Sequence, residues 1–441
     1  MKIINPPPLK SFNPTPLHFS NLAYIERVLA TPELIRESNQ LQQLADLLPR
    51  WRNVPLYRDV LAGADCERLE LPCFEQIPLL TKQAMRKDFP RNFLPQEQTL
   101  ESLLEQNLVE LEHTSGTSED RLPVMFGRNW WNTQEQHALR LNGFVADVLD
   151  KFPDARRATI TSPSCNGLTC PTAWMSHEQR QIGNALFVNL ARIPFLVSEA
   201  ELARMAREIA DWSPQFLDTD PVHGAWFALY CERHGIKFPS LKFVLCSYEF
   251  ASVVHRKILA RVFGVPVFNL YGSTETGHLL MENERGQMKP SYDTAFLEII
   301  NADAQGIGDL IVTTLSNQYM PLLRYRIGDL AQKHVQPHGN VFIVHGRTRD
   351  ALTTADGSRV TTWQVDQCFS ETEGVAHYEL RQIESGQNVL RVIPAVNAST
   401  APDLRDVTAR LETLLQAKVS TETMSTLVPA ASGKFRLTHR L

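Results

Sequence analysis

Five short polar runs in this chain hold residues able to handle phosphate, a hard metal ion and a developing negative charge. They are HTSGTSEDR (His113–Arg121), NLYGSTETG (Asn269–Gly277), RYRIGDL (Arg324–Leu330), GRTRD (Gly346–Asp350) and ASGKFR (Ala431–Arg436). In the first, Gly116 permits a tight backbone, while its neighbours Thr114, Ser115 and Thr117 offer amides and hydroxyls that can wrap an anionic phosphate. The G-x-x-x-x-G-K-[ST] pattern is absent throughout, so this is not a Walker loop. In the second, Tyr271 offers an aromatic face to a purine and Gly272 allows close approach. Thr274 offers a hydroxyl to a phosphate, and Glu275 a hard oxygen to magnesium. Asp329, in the third run, can accept both hydroxyls of a ribose; a salt bridge to Arg324 or Arg326 is the alternative. Lys434 is a flexible ammonium suited to bridging a carboxylate oxygen and an α-phosphate, or else a solvated charge. Each run alone also fits a turn or a strand end.

At 441 residues the chain exceeds what one hydrophobic core usually organises, which predicts two or more domains. Its 43% hydrophobic and 21% charged residues are those of an ordinary globular protein. A net charge of −5 argues against a nucleic-acid partner. No stretch approaches the roughly 18 consecutive apolar residues of a spanning helix, so no membrane is expected. The start, MKIINPPPLKSFNPTP, is proline-rich and lacks the apolar core of a signal peptide; the expected location is the cytoplasm. Seven scattered cysteines favour reduced thiols over a disulfide framework. Cys165 and Cys170 have no second pair at zinc-site spacing.

These runs must be positioned by something, and the periodicities say what. Pro32 to Leu61 reads as largely helical, and Thr81 in IPLLTK can cap a helix beginning near Lys82. Between about Arg156 and Phe268, short buried runs (ATITSPS, ALFVNLA, FLDTD, LKFVLCS, VPVFNLYG) alternate with helical stretches (SEAELARMAREIADW, PVHGAWFALYCERHG). That alternation predicts a parallel sheet with helical crossovers, whose ligands gather beyond the carboxyl ends of the strands. NLYGSTETG follows VPVFNL directly and falls there. From about Thr294 to Phe342 the pattern predicts a smaller β-rich subdomain. Beyond Gly346 a strand-like NVLRVIPAV and an amphipathic helix (Asp403–Lys418) predict a small α+β domain.

The order and spacing of the five runs resemble the adenylate-forming superfamily of acyl-coenzyme A ligases, adenylation domains and luciferases. The phenylacetate–coenzyme A ligase-like group is nearest, through the further segments VPLYR, IPLLTK and GKFRL, and the resemblance extends from about Leu44 to the C-terminus. It implies an α/β adenylate-forming fold. A large N-terminal domain (1–348) of βαβ subdomains and a β-rich subdomain would precede a small mobile α+β domain (349–441). It implies that Thr114, Ser115, Gly116 and Thr117 cradle the ATP phosphates. Ser118-Glu119-Asp120-Arg121 replace the family's glycine-lysine here, leaving Arg121 as the substitute cation. Tyr271 would stack on adenine, with Gly272 and Ser273 beside it; Thr274 and Glu275 would serve catalysis, with Glu275 on the metal. Asp329 would bind ribose, Arg347 ribose or phosphate, and Asp350 would be the hinge. Lys434 would be the catalytic lysine of adenylation. Ser247, Tyr248 and Glu249 stand where the family has a glycine-glycine-glutamate adenine contact. His223 and Trp226 would approach the acyl pocket, or else pack in the core.

The implied reaction is ATP-dependent activation of a carboxylic acid, an aryl or arylacetic acid favoured, to acyl-AMP with release of pyrophosphate. Transfer to a thiol follows. ATP, Mg2+ and coenzyme A (or phosphopantetheine) are the implied cofactors. The expected partners are a small carboxylic acid and, in one alternative, an acyl carrier protein. A carrier-protein phosphopantetheine thiol and an amine are the alternative acceptors. A catalytically inactive nucleotide- or acyl-binding protein is the reading of another class.

Overall fold

Apolar runs bounded by turn residues form the strands, and stretches with apolar positions three and four apart form the helices. A computed structural model describes residues 33–62, 74–114, 121–163, 175–337, 339–383, 386–395 and 402–440. Helix α1 (Glu33–Trp51) and the short α2 (Lys82–Arg86) lead in, and Thr81 caps α2 by accepting from the Ala84 amide. Strands β1 (Val109–His113) and β2 (Pro123–Gly127) form an antiparallel hairpin.

The central element is a twelve-stranded sheet. One half contains β3 (Arg157–Ile160), β4 (Gln181–Ile182), β5 (Ala185–Phe187), β6 (Phe216–Thr219), β7 (Phe243–Cys246) and β8 (Val267–Ser273). Within it β5, β3, β6, β7 and β8 run parallel in that order, and β4 adds antiparallel at the edge. Ile160 pairs with Thr219, Thr219 with Cys246 and Cys246 with Asn269, so the carboxyl ends of these strands are level. Everything that follows them opens onto one edge.

The crossover helices are set by local chemistry. In α3 (Glu199–Trp212), Ser198 accepts from the Glu201 amide, and Leu202, Met205, Ala206 and Ile209 bury one face. Asp220 caps α4 (Pro221–Arg233), which starts on proline and is buried nearly all round. Ser252 caps α5 (Val253–Phe263), and Gly264 ends it at φ 65°.

The other half runs antiparallel: β9 (Gly277–Glu282), β10 (Met288–Pro290), β11 (Ala295–Ile300), β12 (Ile307–Thr314), β13 (Tyr325–Gln336) and β14 (Gly339–Arg347). The expected β-rich part from about Thr294 is present, and it continues the main sheet. The reason lies in β8, which is long enough to change partners. Val267–Asn269 pair with β7 in parallel, and Leu270–Ser273 pair with β9 antiparallel. NLYGS sits at the changeover.

Past β14, β15 (Leu352–Thr353) and β16 (Arg359–Val360) form a hairpin whose turn includes Gly357 at φ 86°. Helix α6 (Thr362–Gln367) then leads to β17 (Val375–Gln382) and β18 (Asn388–Pro394). Helix α7 (Arg405–Leu415) precedes β19 (Val419–Thr423) and β20 (Thr438–Arg440). These four strands form their own sheet in the order β19-β18-β17-β20, and α7 buries Val407, Leu411 and Leu415. One apolar cluster joins this sheet to the parallel half, with Val254 and Ile258 of α5 in it alongside Tyr378 and Leu380 of β17. Among the described residues no helix is long and apolar enough to cross a membrane.

Candidate active site

At the end of β8 the backbone bulges between Tyr271 and Gly272. A Cβ on Gly272 would stand 2.2 Å from the Gly277 carbonyl oxygen and 2.8 Å from the His278 Cα. Both obstacles are backbone, so nothing can swing aside. Gly272→Ala is expected to cost about 3 kcal/mol by overpacking, read as a lowered urea midpoint; an unchanged midpoint contradicts the geometry.

The bulge aims Tyr271 at β13. Its hydroxyl donates to Asp329 Oδ2 at 2.5 Å, and Arg347 Nε lies 2.9 Å from Asp329 Oδ1. Asp329 and Arg347 are direct cross-strand partners, so the sheet register makes this pair. Burial and the Asp329 charge hold the Tyr271 hydroxyl well above its ordinary pKa, so it stays a donor. Beside Asp329, Arg347 is held firmly charged. The alternative partners are engaged elsewhere: Arg324 with Glu298 and Arg326 with Asp309. Each oxygen of Asp329 keeps accepting capacity, which suits two vicinal hydroxyls.

Glu275 is 4% exposed. Tyr325 donates its hydroxyl to Oε1 at 2.9 Å, and Lys82 Nζ stands 3.6 Å from the same oxygen. Burial pushes this carboxyl up, but the Lys82 charge and the hydrogen bonds together outweigh it and hold it below the usual range. Glu275 is therefore an ionised buried carboxylate. Magnesium keeps most of its waters and takes one or two carboxylates with substrate phosphates. A lone ionised carboxylate fits that donor set, and no denser His/Cys/Asp/Glu cluster occurs among the described residues.

Lys82 is the residue that reading the sequence missed, since IPLLTK passes as a strand-to-helix junction. Leu80 is bonded across Tyr325 (its amide to the Arg324 carbonyl, its carbonyl to the Arg326 amide), which carries Lys82 to Glu275. One local signal existed. Lys82 begins a helix with no acid in its first turn, where the dipole favours anions.

A third group arrives from the far end of the chain. Gly433, at φ 84°, passes so close to Ser162 that a Cβ there would stand 2.5 Å from its Oγ. Lys434 Nζ then donates to the Tyr248 carbonyl at 2.6 Å, and the Phe435 amide to Glu249 Oε1 at 2.9 Å. Burial, with the Arg347 charge nearby, pulls the Lys434 ammonium below its ordinary pKa, against the opposing pull of Glu249 and Asp220. Burial beside Asp220 pushes the Glu249 carboxyl well up. An anion arriving between Lys434 and Arg347 would relieve their repulsion.

The chain is similar to known proteins in sequence and in fold. It is 24% identical over 381 residues to the phenylacetate–coenzyme A ligase of Pseudomonas putida, spanning 81% of this chain and 80% of that one. Its fold matches a crystal structure of 2-hydroxyisobutyryl-CoA ligase in the postadenylation state with 2-HIB-AMP. The TM-score is 0.65 at 15% identity, over 89% of this chain and 87% of that one. The same ligase with 2-HIB-AMP and CoA in the thioesterification state matches with a TM-score of 0.54 at 16% identity, over 93% and 91%. The chain shares the fold of adenylate-forming CoA ligases, and its sequence is similar to phenylacetate–coenzyme A ligases. No family model matches it.

The remaining positions named from the adenylate-forming pattern divide. Ser115, Gly116 and Thr117 lie outside the described residues. Thr114 closes the base of the β1–β2 hairpin, exchanging backbone and hydroxyl bonds with Leu122, and Arg121 is exposed. Ser273 meets the Thr276 hydroxyl at 2.9 Å, and Thr274 is half-buried. Ser247 and Tyr248 both donate their hydroxyls to buried Asp218, at 2.6 and 2.7 Å. Tyr248 has φ 71°, a conformation that favours the glycine of the family pattern. Asp350 is buried in a turn between β14 and β15, its carbonyl accepting from Thr438 and its carboxylate 3.6 Å from Arg436. His223 is buried with Nδ1 3.2 Å from Asp220, its ring 6.1 Å from that of Phe435. Trp226, partly buried, packs edge-on against Phe195 beside the apolar cluster.

Proposed function

We propose that this chain couples a small carboxylic acid to the thiol of coenzyme A at the expense of ATP, by way of acyl-AMP. The observation that carries the reading is the convergence of Tyr271, Asp329, Arg347 and Lys434 at one edge of the sheet, with Glu275 on the Tyr271 strand end. Asp329 would hold the ribose and Tyr271 the adenine. Glu275 would hold a magnesium ion, which supplies charge neutralisation on the phosphates when bound, and Lys82 beside it is placed for the same anion. The carboxylate oxygen of the acid attacks the α-phosphorus, and the bond to pyrophosphate breaks. Lys434 and Arg347 face the charge that develops there. The thiol sulfur then attacks the acyl carbon with loss of its proton, and the bond to AMP breaks.

The arrangement described would be the one for the first step, since Lys434 is docked on the Tyr248–Glu249 turn. The higher TM-score against the postadenylation structure supports this. The second step then requires the part beyond Asp350 to move, with Asp350 as the hinge. The likeness to phenylacetate–coenzyme A ligase favours an aryl or arylacetic acid.

Incubation with Mg·ATP, coenzyme A and a panel of aryl, arylacetic and short hydroxy acids tests the acceptor. Acyl-thioester and AMP are expected in equal amounts with at least one acid. AMP release without thioester would reassign the acceptor to a carrier-protein thiol or an amine.

A further inference from the structure

The segment from Ser247 to His255, which leaves β7 and enters α5, receives the C-terminal part of the chain at successive points. Its Tyr248 carbonyl takes Lys434 and its Glu249 carboxylate takes the Phe435 amide. Further along, Ser252 Oγ donates to Asp366 Oδ1 at 2.5 Å, and the Val253 amide to Asp366 Oδ2 at 3.0 Å. Then His255 Nε2 meets His377 Nδ1 at 3.1 Å, the rings stacked 5.2 Å apart. Lysine docking and lobe docking therefore use one short strip.

Asp366 is the polar centre of that contact. It is 1% exposed, sits on α6, and also accepts the Tyr378 hydroxyl at 2.8 Å from its own lobe. Three donors surround a carboxylate that can only accept, and two of them belong to the strip. The Val253 amide is a first-turn donor of α5, where an anion is favoured. Among the described residues no salt bridge is formed to Asp366; its partners are hydroxyls and an amide. Such a contact is strict in geometry, yet its desolvation offsets much of its strength. That combination suits an interface that must register accurately and still release.

We propose that Asp366 is a positioning residue for adenylation: its carboxylate seats the C-terminal lobe on the Ser252–Val253 turn so that Lys434 reaches the Tyr248–Glu249 turn, and this contact opens before acyl transfer. The proposal rests on the function proposed above. Asp366→Asn keeps the shape but turns an N–H group toward these donors. Pyrophosphate exchange is expected to fall about 10²-fold, the scale of a misplaced catalytic group, while thioester formation from supplied acyl-AMP keeps its wild-type rate. Ser252→Ala, which removes one donor and keeps the others, should show the same split with a smaller loss. Equal losses in both half-reactions, or none, would overturn the proposal.

Hydrogen exchange decides the contact without relying on activity. In Asp366→Asn the Val253 amide should exchange at least about tenfold faster, with Ile311 and Val312 in β12 unchanged. An unchanged Val253 amide overturns the clamp. Absence of pyrophosphate exchange in the wild-type protein would instead remove the proposed function, and the hydrogen-exchange result would stand by itself.

Discussion

Lys434→Ala is expected to reduce acid-dependent pyrophosphate exchange by about 10²–10³-fold, the usual scale for removing a group that stabilises developing charge. Thioester formation from supplied acyl-AMP should persist. The separation follows from where the lysine sits. Its ammonium reaches the Tyr248 carbonyl near Arg347, while the loop carrying it is held by other bonds: Arg192 to the Ala431 carbonyl and Phe435 to Glu249. On the proposed function, removing the ammonium would delete charge facing the α-phosphorus without unseating the loop. Lys434→Arg would not restore the rate, because a longer, planar guanidinium spreads its charge and does not place it where the compact ammonium sits. Exchange at the wild-type level in Lys434→Ala would remove this residue from the first step.

The second large effect is expected at Glu275. Glu275→Gln keeps the shape and the bond from Tyr325 but removes the charge opposite Lys82. Burial disfavours that charge, and the Lys82 charge with the hydrogen bonds holds it nonetheless. Exchange should fall about 10²–10³-fold, with the half-saturating magnesium concentration displaced upward. A mere structural acid would lower thermal stability and leave the magnesium dependence where it was. Comparing magnesium titrations of the two proteins at matched folding separates these outcomes.

Much of the scaffold was legible because parallel strands buried on both faces read as continuous apolar runs. FLDTD, LKFVLCS and VPVFNLYG became adjacent strands with level ends, placing NLYGSTETG at the edge as expected. The changeover within β8 was not legible, since it depends on tertiary pairing rather than on composition. For Asp329, Arg324 lies outside β13, and the observed partner is Arg347, directly across on the next strand. Lys82 and Asp366 were hidden for the reason that makes them informative. Each meets its partner across a long sequence separation, Lys82 through a bridge between Leu80 and Tyr325 and Asp366 through lobe docking. The altered glycines at Ser247 and Tyr248 flagged an irregular position, and the left-handed backbone of Tyr248 with its bond to Asp218 gives that irregularity a structural form.

The central claim is that an acid and ATP react on this surface before any thiol is involved. Isotope exchange between pyrophosphate and ATP, without coenzyme A, tests it most directly. Label should enter ATP only when magnesium and one of a panel of aryl, arylacetic or short hydroxy acids are present. No exchange with any acid, from protein that still binds ATP, would contradict the account and favour a nucleotide-binding protein without turnover.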